Sequence, residues 1–184
     1  EVEGTAGRVP NGVKVIETVK QISKLNFSKD ELLAYVTQTT LSVDDTKQII
    51  KALKLKYPSI KGPDTRDICY ATQNRQKAIR ELAQCSEVVL VLGNKNSSNS
   101  VRLAEISALT GVPTYRIADK KELNLELIKD FNVIGITAGA STPEILVEEL
   151  INYLKNNYLD KITVEVLDGT KEKVNFKLPD LVVD

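Results

Sequence analysis

EVVLVLGNKNSSNSVRLAEIS, residues 87–107, runs from a continuous apolar segment through Gly93 into small polar residues and then into an apolar-periodic segment from Ser100. The apolar run predicts a strand, and the periodic segment predicts a helix. Asn96, Ser97, Ser98, Asn99 and Ser100 therefore stand between strand and helix with little charge among them. Residues of this kind form turns and caps, and they also donate hydrogen bonds to anions.

The alternation continues in both directions. Upstream, VKVI (13–16) predicts a strand, ETVKQISKL (17–25) a helix and LLAYVTQ (32–38) a second strand. Ser42 to Tyr57 predicts a long helix, with Ile49, Ile50, Leu53 and Tyr57 on one face, Ser42 as N-cap and Pro58 as stop. A loop, KGPDTRDICYAT (61–72), leads to a helix from Gln73 to Gln84. Downstream, VPTYRI (112–117) and NVIGITAG (132–139) predict strands, and ELNLELIKD (122–130) a helix between them. Thr142 is expected to cap a last helix with Pro143 at its first position. KITVEVL (161–167) and KVNFKL (173–178) flank Asp168-Gly169 and predict a β-hairpin.

Strands alternating with helices imply an α/β fold, a parallel sheet built from right-handed βαβ units. Pro58, Gly62 and Pro63 divide the chain into units 1–62 and 63–158, with a hairpin tail at 159–184. Of 184 residues, 42% are hydrophobic and 27% charged, with 25 basic against 25 acidic. A net charge of zero argues against a nucleic-acid partner held by bulk charge. No apolar run reaches the roughly 18 residues that span a membrane. The two cysteines, Cys69 and Cys85, lack metal-site spacing and suggest a reducing compartment. Histidine and methionine are both absent, and the chain opens on Glu1, so it reads as a fragment or processed product.

Three strands run into hydroxyl- or amide-rich loops followed by helices: AYV–TQTTLS (34–42), VLG–NKNSSNS (91–100) and GIT–AGAST (135–142). Ligands of open parallel sheets bind beyond these strand ends, where helix N-termini favour an anion by about 0.3–1 kcal/mol each. Capping and turn formation would explain any one of these loops. Gly93 and Gly139 carry the same two readings, turn or close backbone approach to a ligand. Cys69 precedes a helix, a position that makes a thiol a better nucleophile or metal ligand; burial as a small residue is the alternative. Cys85 reads as packing, and Lys95, Arg102, Glu1 and Glu3 as exposed charge.

EVEGT (1–5), VTQTTLSVDDT (36–46), DICYATQNRQ (67–76), GNKNSSNSVRLAE (93–105) and TAGASTPE (137–144) resemble, in order, the motifs of the LytB family of hydroxymethylbutenyl diphosphate reductases. The resemblance runs from Glu1 to about Leu154. It implies reductive dehydroxylation of an allylic diphosphate to isopentenyl and dimethylallyl diphosphates by a 4Fe–4S cluster held by three cysteines. Cys69 resembles the third of these. Glu1 aligns with the proton-delivering glutamate and Thr39 with the threonine of that network. Ser97, Ser98 and Asn99 resemble the diphosphate loop, and Ser141 its partner in the last strand-end loop. The family's other two cluster cysteines and its diphosphate-binding histidines precede EVEGT. The resemblance therefore implies the second and third units of a three-unit, trefoil-like enzyme, inactive alone. It also implies a ferredoxin or flavodoxin electron donor and a cytoplasmic location. A stand-alone diphosphate-binding module, or a structural domain without a ligand, is the competing expectation.

Overall fold

The computed structural model describes residues 2–9, 12–28, 31–158 and 162–170. In chain order the elements are α1 (Val2–Gly7), α2 (Val19–Ile22), α3 (Val43–Lys56), α4 (Tyr70–Gln84), β1 (Val88–Leu92), α5 (Ser98–Ala108), β2 (Thr114–Ile117), two short 3-10 turns, β3 (Ile134–Ala138) and α6 (Glu144–Asn157). β1 is the centre of a three-stranded parallel sheet of order β2-β1-β3. All five of its residues are fully buried. Successive strand side chains point to opposite faces, so one apolar run serves two cores. Val88, Leu90 and Leu92 join Ile117, Leu150 and Leu154 under α6. Val89 and Val91 join Ile79 and Ala83 of α4 and Leu103 and Ile106 of α5. The expected α/β architecture is present.

α3 begins as expected. Ser42 accepts a hydrogen bond from Asp45 N, Asp44 and Asp45 fill the first turn, and Lys54 and Lys56 the last. That charge order suits the helix dipole. Two helices start earlier than expected: α4 at Tyr70 with Cys69 as N-cap, and α5 at Ser98 with Ser97 as N-cap. α2 is shorter than its predicted 17–25. Lys56 Nζ donates to the carbonyls of Ile22, Ser23 and Leu25 and satisfies the helix end there.

Four expectations are corrected. Residues 13–16 form no strand, pairing with nothing among the described residues. Of the strand expected at 32–38, only a parallel bridge between Ala34 and Lys61 forms. Beyond it a side chain supplants the backbone partner, because Thr37 N donates to the Asp67 carboxylate. The helix expected at 122–130 is divided into Lys120–Glu122 and Leu125–Leu127. Asp119 and Asn124 each accept from a backbone N–H two residues on, which starts a new turn and competes with a continuous helix. Thr142 does not cap α6: its hydroxyl donates to Leu92 O, and Pro143 is the N-cap.

Residues 162–170 carry no regular structure. The second arm of the expected hairpin, 173–178, lies outside the described residues, as does Lys161. No helix among the described residues is long and apolar enough to cross a membrane.

Candidate functional site

The C-terminal ends of β1 and β3 lie side by side, and one carbonyl joins their loops. Leu92 O accepts from Gly139 N at 2.9 Å and from Thr142 Oγ1 at 3.2 Å. Ser100, fully buried in the first turn of α5, packs against both glycines that follow these strands. A Cβ at Gly93 or at Gly139 would overlap the Ser100 hydroxyl. Both glycines are therefore needed for close approach, and neither has a positive φ.

The serine loop is built on that contact. Ser97 Oγ accepts from Ser100 N (3.4 Å) and Ser100 Oγ (3.0 Å), capping α5. Ser98 is exposed, and its hydroxyl lies 2.9 Å from Thr40 Oγ1. This contact joins the loop that leads into α3 to the loop that leads into α5. Asn99 is only 5% exposed, yet neither its amide oxygen nor its amide nitrogen has a hydrogen-bond partner among the described residues. A buried amide left unpaired costs about 1–3 kcal/mol, so such a group calls for an explanation. Ser141 is exposed two residues beyond Gly139.

The cations around the loop are engaged elsewhere. Lys95 pairs with Glu122 at 3.0 Å. Arg102 pairs with Glu105 at 2.8 Å and Asp45 at 3.6 Å. Arg116 donates to the carbonyls of Asn94 (3.2 Å) and Lys95 (2.8 Å), bracing the turn from β2. The Ala118 N–H, and after it Lys95, hold the Glu122 carboxyl below the usual carboxylate range. What the loop offers a ligand is therefore a helix N-terminus and neutral donors.

Thr39 and Cys69 meet through the backbone, Cys69 N donating to Thr39 O at 3.0 Å. The Cys69 thiol is exposed and free at the start of α4, open to a ligand or metal. Cys85 is exposed at the end of α4, and its thiol turns back onto the carbonyls of Glu81 and Leu82. Among the described residues no three His, Cys, Asp or Glu side chains converge as a metal set. Cys69 offers a single exposed thiol and does not hold an iron–sulfur cluster by itself. Glu1 lies outside the described residues.

Sequence reasoning missed Gln76 and the pivotal place of Ser100. Gln76 is fully buried; its Nε2 donates to Leu41 O (2.7 Å) and its Oε1 accepts from Val43 N (3.1 Å). It ties the threonine loop and the start of α3 to α4. A glutamine inside an amphipathic helix gives no local sign of this. Ser100 had a sign, a small residue one turn into a helix behind a glycine-ended strand.

A family model described as LytB protein matches residues 1–155. The 4-hydroxy-3-methylbut-2-enyl diphosphate reductase 2 of Bradyrhizobium diazoefficiens is 50% identical over 179 residues, 97% of this chain and 58% of the relative. The corresponding reductase of Wolbachia pipientis subsp. Culex pipiens is 51% identical over 177 residues, 96% of this chain and 57% of the relative. The solved structure of the E-1-hydroxy-2-methyl-but-2-enyl-4-diphosphate reductase from Plasmodium falciparum matches with a TM-score of 0.88 at 37% identity, over 97% of this chain and 56% of that one. The chain spans somewhat more than half the length of the relatives it matches.

Proposed function

The chain belongs to the LytB family, and from that premise we propose that it forms the second and third units of a hydroxymethylbutenyl diphosphate reductase. The observation that carries the reading is the buried, unpartnered amide of Asn99 beside Ser97 and Ser98 at the start of α5. A diphosphate oxygen accepting from Asn99 Nδ2 would satisfy the donor half of that amide, and the N-terminal N–H groups of α5 would share the charge. Ser141 closes the same cradle from the β3 loop. Neutral donors fix orientation without the mobility of an ammonium group.

Cys69 would contribute one thiolate to a 4Fe–4S cluster whose other two cysteine ligands come from the part of the relatives that this chain does not span. When bound, such a cluster supplies two electrons to an allylic alcohol diphosphate, which also takes up two protons and loses water. Thr39 holds a hydroxyl on the residue whose carbonyl is bonded to the Cys69 N–H, and Glu1 serves as the carboxyl of the proton path. The electron donor is a ferredoxin or flavodoxin, and the setting is cytoplasmic. The products are isopentenyl and dimethylallyl diphosphates.

Units 1–62 and 63–158 form two-thirds of a three-unit enzyme in this reading. Exposed Val13, Val15, Leu32 and Val36 support it, as apolar surface that a further unit would cover. The chain alone is expected to be inactive. The test supplies it with the allylic diphosphate and a chemical reductant under anaerobic conditions. Isoprenoid diphosphates formed by this polypeptide alone would refute the need for a further unit.

A further inference from the structure

Segments 33–39 and 61–69 are joined at both ends by backbone bonds. Lys61 N donates to Leu33 O (3.0 Å) and Tyr35 N to Lys61 O (2.9 Å) at one end; Cys69 N donates to Thr39 O (3.0 Å) at the other. Between these ends the bonds run through side chains. Tyr35 Oη donates to Asp64 Oδ1 (3.1 Å) and accepts from Asp64 N (3.2 Å), so one hydroxyl grips both the main chain and the side chain of one residue. Lys54 of α3 closes the group with an ion pair to Asp64. Lys54, and after it Tyr35, hold the Asp64 carboxyl below the usual carboxylate range.

Two backbone features show that this clasp is specified. Asp64 has φ 58°, the one positive φ outside glycine among the described residues. That conformation is uncommon for a side-chain-bearing residue, with Asn and Asp its main exceptions. It persists where surrounding contacts over-determine it. The Tyr35 ring also lies against Gly62, where a Cβ would overlap it. From the clasp, the chain reaches Cys69 through tight turns. Arg66 N donates to Pro63 O and Ile68 N to Thr65 O, both at 3.1 Å, and Ile68 is buried. Such a path transmits position.

We infer that Asp64, gripped by Tyr35 and Lys54 over Gly62, is a positioning residue that sets Cys69 against Thr39. Its importance to the reaction rests on the roles proposed above for Cys69 and Thr39; its effect on their geometry does not. The test uses the 184-residue chain with Gly62→Ala, Asp64→Ala and Asp64→Asn. Two rates are followed: hydrogen exchange of the Cys69 amide against that of Val91, and alkylation of Cys69 against Cys85. In the two alanine variants the Cys69 amide should exchange about tenfold faster, with Val91 unmoved and the alkylation ratio changed. Asp64→Asn tolerates the left-handed conformation and still accepts from Tyr35, so it should stay within about twofold of the parent. An unmoved Cys69 amide, equal acceleration at Val91, or a loss in Asp64→Asn matching Asp64→Ala would overturn the proposal. A LytB enzyme that still loads its cluster without this cysteine would sink the cluster assignment and leave the exchange result standing.

Discussion

Asn99 concentrates the conflict between stability and binding. Its side chain is removed from water and given nothing in exchange. Replacing it with an apolar residue of similar size removes an unsatisfied amide, which costs about 1–3 kcal/mol. Asn99→Leu is therefore expected to make the chain more stable to urea by ~1 kcal/mol, and to lose affinity for pyrophosphate. A variant that is both less stable and undiminished in binding would show that the amide has a partner in the free protein. Of the candidate site residues, the serines and Asn99 stood out in the sequence because five small polar residues, 96–100, behind an apolar strand are an unusual grouping. The burial of Asn99 was not legible, since it depends on how α5 packs over β1.

At the scale of elements, the joint that ties the threonine loop and the start of α3 to α4 rests on Gln76. Gln76→Ala would leave Leu41 O and Val43 N without their partner and open a cavity beside α4. Each loss of a buried hydrogen bond costs about 1–3 kcal/mol, so a total near 3 kcal/mol is expected. Faster hydrogen exchange at Val43 than at Leu90 would place the damage at the joint; uniform change would contradict that role. The long elements were legible. α3 has apolar residues at helical spacing, a serine cap and a proline stop, and β1 and β3 have continuous apolar runs. The elements that failed were those decided by partners. Residues 13–16 have strand-forming composition and no neighbouring strand among the described residues. Asn124 reads as one residue of a helix until its side chain caps a turn.

For the molecule as a whole, β1 unites two cores, so damage to it should spread to both faces. Leu90 is fully buried on the α6 side. Leu90→Ala should cost about 2–5 kcal/mol. A single cooperative urea transition, with α4 and α6 probes moving together, is the expected form; separate transitions would mean that the faces fold independently. The parallel sheet was legible from alternation alone, because strands spaced by helices have few other ways to close. The meeting of Thr40 with Ser98 was not, because it joins residues 58 positions apart and depends on how the loop before α3 packs against the start of α5.

In the proposed function, the loop from Ser97 to Ser100 holds a diphosphate through neutral donors. The most direct measurement is a pyrophosphate titration of the 184-residue chain, followed by backbone amide shifts at low and moderate salt. Saturable shifts at Ser97 to Ser100 and at Gly139 to Thr142, with a shallow salt dependence, are predicted. No shift at these residues, or shifts confined to surface lysines and abolished by moderate salt, would contradict the account.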